Sequence, residues 1–211
     1  MRIMKVQGKG KVFVPPDIVV INFEVEEQAN DYAECLNKLN RRATSLRTDL
    51  KSVGRGKTKL KTTNFSIKVN QRYVDGHNVF DGYIGSHTLR IEFPADKNLL
   101  NEILGQISRG HSGAELELTF TVRDKESVKQ AVLIDAVKTA QKNAHILAEA
   151  AGLRLGLIQQ IDYGWTEIRF RDRTANILSC SEELPMSYAP DIEPEDIGAE
   201  NYVTLVYEIM E

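Results

Sequence analysis

The sequence is poor in the residues that staple, anchor or metallate a chain. It holds only two cysteines, Cys35 and Cys180, far apart and outside any C-x-x-C spacing, so neither a disulfide framework nor a cysteine zinc site is expected. The four histidines, His77, His87, His111 and His145, form no H-E-x-x-H motif and no i, i+4 pair, so no metal set is expected and no cofactor is implied. No apolar run approaches the roughly 20 residues that span a bilayer, and the opening MRIMKVQGKGK lacks the apolar stretch of a secretory leader. The expectation is a soluble, cytoplasmic protein without a membrane span. Cationic residues also run out: after Arg173 there is no lysine or arginine, while nine acids follow.

What is present suffices for a substantial core. With 211 residues and 42% hydrophobic content, a chain of this size buries roughly 70% of its unfolded surface. Residues 11–28 alternate as a strand through Val19, Ile21, Phe23 and Val25, with Pro15-Pro16 forcing an irregularity near its start. Residues 30–53 read as a helix with the stripe Tyr32, Leu36, Leu39, Ala43, Leu46 and Leu50, Cys35 on its edge, and Gly54 and Gly56 ending it. Residues 58–73 and 80–94 read as a hairpin joined by VDGHNVFDG. A short helix over 96–109 follows, then ELELTFTV at 115–122 alternates without a fault.

Asp124 is placed to cap a long helix that runs to about Gly152. Its alanines at 136, 140, 144 and 148 spread a shallow face across a band of about 120°, which lets a helix backbone approach its neighbour closely. A strand over 155–170, an acidic loop over 172–200 rich in proline, and a closing strand NYVTLVYEI complete the reading. Strands in hairpins with helices on one face describe an α+β fold of antiparallel or mixed sheets in two-layer sandwiches. The expected organisation is one unit over 1–211, with a central subdomain at about 57–123 inserted in one formed by 1–56 and 124–211.

No motif for catalysis survives scrutiny. GRGKT at 54–58 echoes a phosphate loop, but Lys51 stands where glycine is needed and the order is helix to strand. Glu115 and Glu117 share the wet face of one strand, and surface charge accounts for them. The expectation is therefore a non-enzyme.

Charge is distributed unevenly. Residues 38–72 carry eleven lysines and arginines against one acid, Asp49, and the chain up to Arg173 carries 27 bases against 21 acids. Arg41, Arg42, Lys57, Lys59 and Lys61 are the candidate residues for binding an anion or docking the acidic tail, within one chain or between copies. A nucleic-acid or polyanion binder acting through the same 38–72 segment is the alternative. Against it, aromatic residues are sparse there and no recognition motif is present, so nucleic acid is the less favoured partner.

Four stretches in order carry a resemblance. A-x3-A-x3-A-x2-L-A-x-A-A-G-x2-L-G from Ala136 through Gly156, GKGKVFVPPDIVVINFEVE at 8–26, the central hairpin with Gly82-Tyr83, and IEPEDIGAENYVTLVYEI at the end together resemble the SIMPL-domain family. This bacterial domain-of-unknown-function class includes periplasmic immunogenic proteins and proteins associated with oxidative-stress tolerance. The resemblance implies an α+β fold in two subdomains, assembly into homo-oligomers and no catalytic residue to carry over. Many relatives are exported, whereas this chain is similar to the forms without a leader. The expected role is a self-assembling scaffold or protective protein in the stress response, with a further protein partner open.

Overall fold

The prolines at 15 and 16 do more than roughen a strand. They divide it into β1 (Ile3–Val14) and β2 (Ile18–Ala29), and the two halves join different sheets. Proline cannot donate to a ladder, so pairing stops there and restarts with new neighbours. The structure, a computed structural model, describes residues 2–51, 53, 59–110, 112–164, 169–170, 174–177 and 192–210.

The chain divides into two compact units. One takes the described residues of 1–16, 122–172 and 194–211, the other those of 17–121 and 173–193. The division therefore falls at 16/17 and 121/122 rather than at 56/57 and 123/124. The reason is pairing: β2 lies between the hairpin and the strand after it, which carries β2 and the helix that follows into the central unit.

In the first unit, β1, α3 (Lys125–Ala150), β6 (Arg154–Tyr163), β7 (Arg169–Phe170) and β9 (Ile197–Met210) form a helix on an antiparallel sheet of order β1-β9-β6, with β7 also on β9. Asp124 accepts from the Ser127 amide at 2.9 Å and starts α3. Gly152 at φ +66 ends it, with Gly152 N–H donating to Glu149 and Leu153 N–H to Ala148, the paired bonds of a Schellman stop.

Ala136, Ala140, Ala144 and Ala148 are all buried, and the reason lies on β1. A Cβ at Gly8 would stand 2.1 Å from the Ala136 carbonyl oxygen and 2.3 Å from the Ala140 nitrogen; one at Gly10 would stand 2.1 Å from the Val132 oxygen. Backbone lies on backbone along this seam. The G-x-G of the strand and the A-x3-A of the helix are two halves of one contact, with Val6, Val203, Leu205 and Tyr207 filling the space beside it.

In the second unit, β3 (Lys61–Val74), β4 (His77–Pro94), β5 (Glu115–Thr121) and β8 (Thr174–Ile177) join β2 in the order β3-β4-β2-β5-β8, all antiparallel. Residues 174–177 thus pair as a strand inside the stretch expected as loop, and β9 begins at Ile197, before its end. Helices α1 (Tyr32–Lys51) and α2 (Lys97–Arg109) cover one face. Leu39 and Leu46 of α1 are completely buried, as are Ile21, Phe23, Leu89 and Leu118 of the sheet. Both helices start on aspartate: Asp31 takes the Ala33 and Glu34 amides, Asp96 those of Asn98 and Leu99.

The hairpin is tighter than its composition suggested. Val74 pairs His77 directly, leaving Asp75 (φ 48) and Gly76 (φ 85) as the turn. Two consecutive positive φ values mark a type I′ turn, whose twist matches that of the strands it joins. HNVF, expected as loop, belongs to β4.

Candidate functional site

The basic residues singled out from the sequence do not converge. Arg41 is exposed on α1, and Lys59 and Lys61 are exposed at the start of β3; none of the three forms an ion pair with a described residue. Lys57 and the GRGKT segment lie outside the described residues, as does most of the acidic 172–200 stretch, so the docking of one on the other falls outside them too.

Arg42 has a different occupation. Its Nε donates to the Ser112 carbonyl at 2.7 Å, Nη1 to the Glu26 carbonyl and the Glu27 carboxylate at 2.8 Å each, and Nη2 to the Gly113 carbonyl. All three guanidinium nitrogens are spent on fastening α1 to β2 and to the segment before β5. A fork of donors in fixed geometry suits this task, and with four of its five N–H groups engaged it cannot offer an external anion a bidentate grip. Only a list of backbone acceptors distinguishes Arg42 from Arg41, and one position of helical phase decides it.

Two groups with shifted proton affinity sit in the same unit, and neither is a reactive centre. Burial, then the Glu27 carboxylate, push the Cys35 thiol up, and its Sγ–H donates to the Glu27 carbonyl at 3.5 Å. A raised thiol is a poor nucleophile. His87 is held below its ordinary range by burial first and by Arg47 second. Its Nε2 shares a hydrogen bond with Thr62 Oγ1 at 2.9 Å, and Phe65 meets it edge-on at 5.2 Å. It is a hydrogen-bonded core histidine. Among the described residues no group of three or more His, Cys, Asp or Glu is placed to hold a metal ion, and no described helix is long and apolar enough to cross a membrane.

Two surfaces escaped the sequence reading because both depend on strand pairing. The first is the end of the hairpin. β2 pairs β4 only as far as Tyr83, so Gln71–Val74 and His77–Phe80 continue as a two-stranded ribbon with no third described strand. Its apolar side chains face solvent: Tyr73 is 73% exposed, Phe80 55% and Val79 48%. Phe80 and Tyr32 each meet Tyr83 edge-on, at 5.5 and 5.7 Å, extending an aromatic chain from α1 onto the ribbon.

The second is the sheet face turned away from α1 and α2. Cross-strand rows there run Lys61–Arg90–Asn22–Glu117 and Asn64–Thr88–Glu24–Glu115. Asn22 donates to the Glu117 carboxylate at 3.2 Å and Ser86 to Glu24 at 2.9 Å. One end of this face is basic and the other acidic.

Comparison with known proteins bears on the whole chain. The model of the SIMPL family, described as a protein of unknown function (DUF541), matches residues 4–207. The 26 kDa periplasmic immunogenic protein of Brucella melitensis biotype 1 is 28% identical over 166 residues, which cover 74% of this chain. The chain spans only 64% of the length of that relative. A crystal structure of a hydrolase from Listeria innocua aligns with 96% of this chain and 92% of its own at 14% identity, with a TM-score of 0.24, a likeness too slight to bear on fold or activity.

Proposed function

The chain belongs to the SIMPL family, a family of unknown function, and from that premise we infer that it acts without a catalytic centre, by assembling with copies of itself into a protective scaffold. The observation that supports this reading is the solvent-facing ribbon at the end of β3 and β4. A lone two-stranded hairpin is marginal in water, and Tyr73, Phe80 and Val79 gain from being covered. Exposed apolar groups gathered on one projecting element mark an interaction site. The spent guanidinium of Arg42 and the buried thiol of Cys35 agree with a binding role in preference to a chemical one.

The test is sedimentation velocity of the full chain and of a Tyr73→Ser/Phe80→Ser variant. Both positions are exposed, so folding is retained, and the variant sediments as a smaller species than the wild type. A wild type that is monomeric at every concentration defeats the reading. A stress role is checked separately, by whether the assembled protein suppresses thermal aggregation of an unrelated protein. The Brucella relative is named for the periplasm, and cell fractionation distinguishes that compartment from the cytoplasm.

A second reading has one specific observation behind it. Lys59, Lys61, Lys68 and Arg72 are exposed on or just before the edge strand β3 and form no ion pair with a described residue, which suits a polyanion. Heparin or RNA binding by the full chain, falling steeply with salt, is its signature.

A further inference from the structure

The exposed face of the second unit's sheet carries a pattern that no fold requirement explains. Across β3, β4, β2 and β5, the first row pairs Lys61 with Arg90, Arg90 with Asn22, and Asn22 with Glu117; the next pairs Asn64, Thr88, Glu24 and Glu115 in turn. Two rows further along, Lys68 pairs Ile84, which pairs Gln28. The β3 edge thus presents Lys61 and Lys68, while β2 and β5 present Glu24, Glu26, Glu115 and Glu117, all exposed. α1 and α2 cover the opposite face, and neither helix reaches this one.

The acidic half is left in an unfavourable state. Glu24 and Glu115 are direct cross-strand partners, and like charges directly opposite repel. None of the four carboxylates forms an ion pair with a described residue; Glu24 and Glu117 accept only from Ser86 and Asn22. On the basic half, Arg90 is matched along its own strand by Glu92 at 3.3 Å, while Lys61 and Lys68 are unmatched among the described residues. Each half lacks the charge that the other displays.

We propose that this face docks on the same face of a second copy of this chain, the two related by a twofold axis parallel to the strands. That operation lays β3 of one copy over β5 of the other, twice. The operation keeps each row opposite itself, so Lys61 lies against Glu117, with Glu115 one row on, and Thr88 lies against Glu24, while Lys68 lies past the end of β5, where Ile84 faces Gln28 and Glu26 is one row away. A twofold contact uses one patch on both partners and must be self-complementary; a face basic at one edge and acidic at the other meets that condition. Stacked sheets lie about 10 Å apart, within the reach of lysine and glutamate together. The contact is polar, so it fixes partner and orientation more than strength. It rests on the assembly reading above and gives that assembly its symmetry.

Two charge-reversed variants of the full chain test it: Lys61→Glu/Lys68→Glu, and Glu115→Lys/Glu117→Lys. Circular dichroism verifies that each is folded, and equilibrium sedimentation measures association at low and at about 0.5 M salt, where screening is severe. The expected result is that wild-type association weakens with salt, each variant alone associates at least tenfold more weakly, and an equimolar mixture of the two recovers association. Recovery is the decisive outcome, because after both reversals the Glu–Lys pair at 61 and 117 re-forms only between one variant and the other. Variants that assemble like the wild type overturn the docking face and leave self-assembly standing. Loss in the lysine variant alone, without recovery on mixing, also overturns it and transfers the basic edge to a polyanion or to the acidic 178–191 segment. A wild type that is monomeric throughout overturns this proposal and the assembly reading together. If either variant fails to fold, Lys61→Gln and Glu117→Gln replace them, and unchanged salt dependence in both refutes the face.

Discussion

Replacing Gly8 with alanine adds one methyl group where strand and helix backbones touch, as closely as at Gly10. Gly8 does not have a positive φ, so alanine is conformationally allowed there. In an open strand such a change stabilises a protein by about 0.4–1 kcal/mol, because the unfolded chain loses freedom. Here the new carbon would lie 2.1 Å from the Ala136 oxygen and 2.3 Å from the Ala140 nitrogen. Both are backbone atoms of a continuous helix, so no side chain can turn aside. Restoring ordinary contact near 3.5 Å from 2.1 Å requires α3 to lift by about 1.4 Å, which loosens Ala140 and Ala144 from Val6, Val203 and Leu205 together. Overpacking of this kind costs about 1–3 kcal/mol, and the rigid obstacle favours the upper end. For a chain of this length that corresponds to a fall of about 5–10 °C in melting midpoint. The measurement is thermal melting with amide exchange along α3, and Gly76→Ala is the control: it meets no atom within 4 Å but has φ +85, so it reports conformational strain alone. The sign decides the matter. A Gly8→Ala protein as stable as the wild type, or more stable, refutes the seam.

Three further outcomes are expected. Because His87 is held below its unfolded pKa of about 6.5, the unfolded chain binds the extra proton first; stability is complete above that value and is lost as pH falls through the folded pKa, so the denaturation midpoint drops from pH 7.5 to 5 and the His87→Gln variant has a flatter profile. Arg42→Ala strands the Ser112, Gly113 and Glu26 carbonyls and costs about 2 kcal/mol, read as a lower denaturant midpoint with faster amide exchange near Gly113; Arg42→Lys, lacking the fork, recovers little of it. Calorimetry with ATP shows no binding heat in the wild type, and binding that disappears in Lys57→Ala would restore the phosphate loop.

The sequence disclosed whatever depends on local periodicity. The alanine face of α3, the stripe of α1, the faultless alternation of β5 and the cap at Asp124 all follow from residues close in the chain. The α+β class and the family emerged from the order of such pieces. Hidden was everything that needs to know which strand lies beside which. Period-two alternation continues across Pro15-Pro16 and cannot say that β1 and β2 join separate sheets. Gly8 and Gly10 looked like a loose glycine pair because their partners stand more than a hundred residues away. HNVF read as a loop because both faces of a projecting ribbon are wet, which erases the alternation that marks a strand. Arg41 and Arg42 are neighbours with opposite fates, and the polarity of the open sheet face exists only in its register.

The position of β9 between β1 and β6 also sets a timetable. β1 leaves the ribosome well before β9, yet it pairs with no described strand but β9. At about 5–20 residues per second, synthesis separates the two by roughly 10–40 s. The second unit waits only for the short edge strand β8, since β2, α1, β3, β4, α2 and β5 are contiguous in the chain and can pack as they emerge. Through that interval the sheet that backs the glycine strand and the alanine helix is incomplete, and the emergence of β9, rather than any local propensity, starts the closure of the first unit. A nascent chain stalled before residue 197 would present a finished domain attached to an unfinished one, which is the species a holding chaperone would meet.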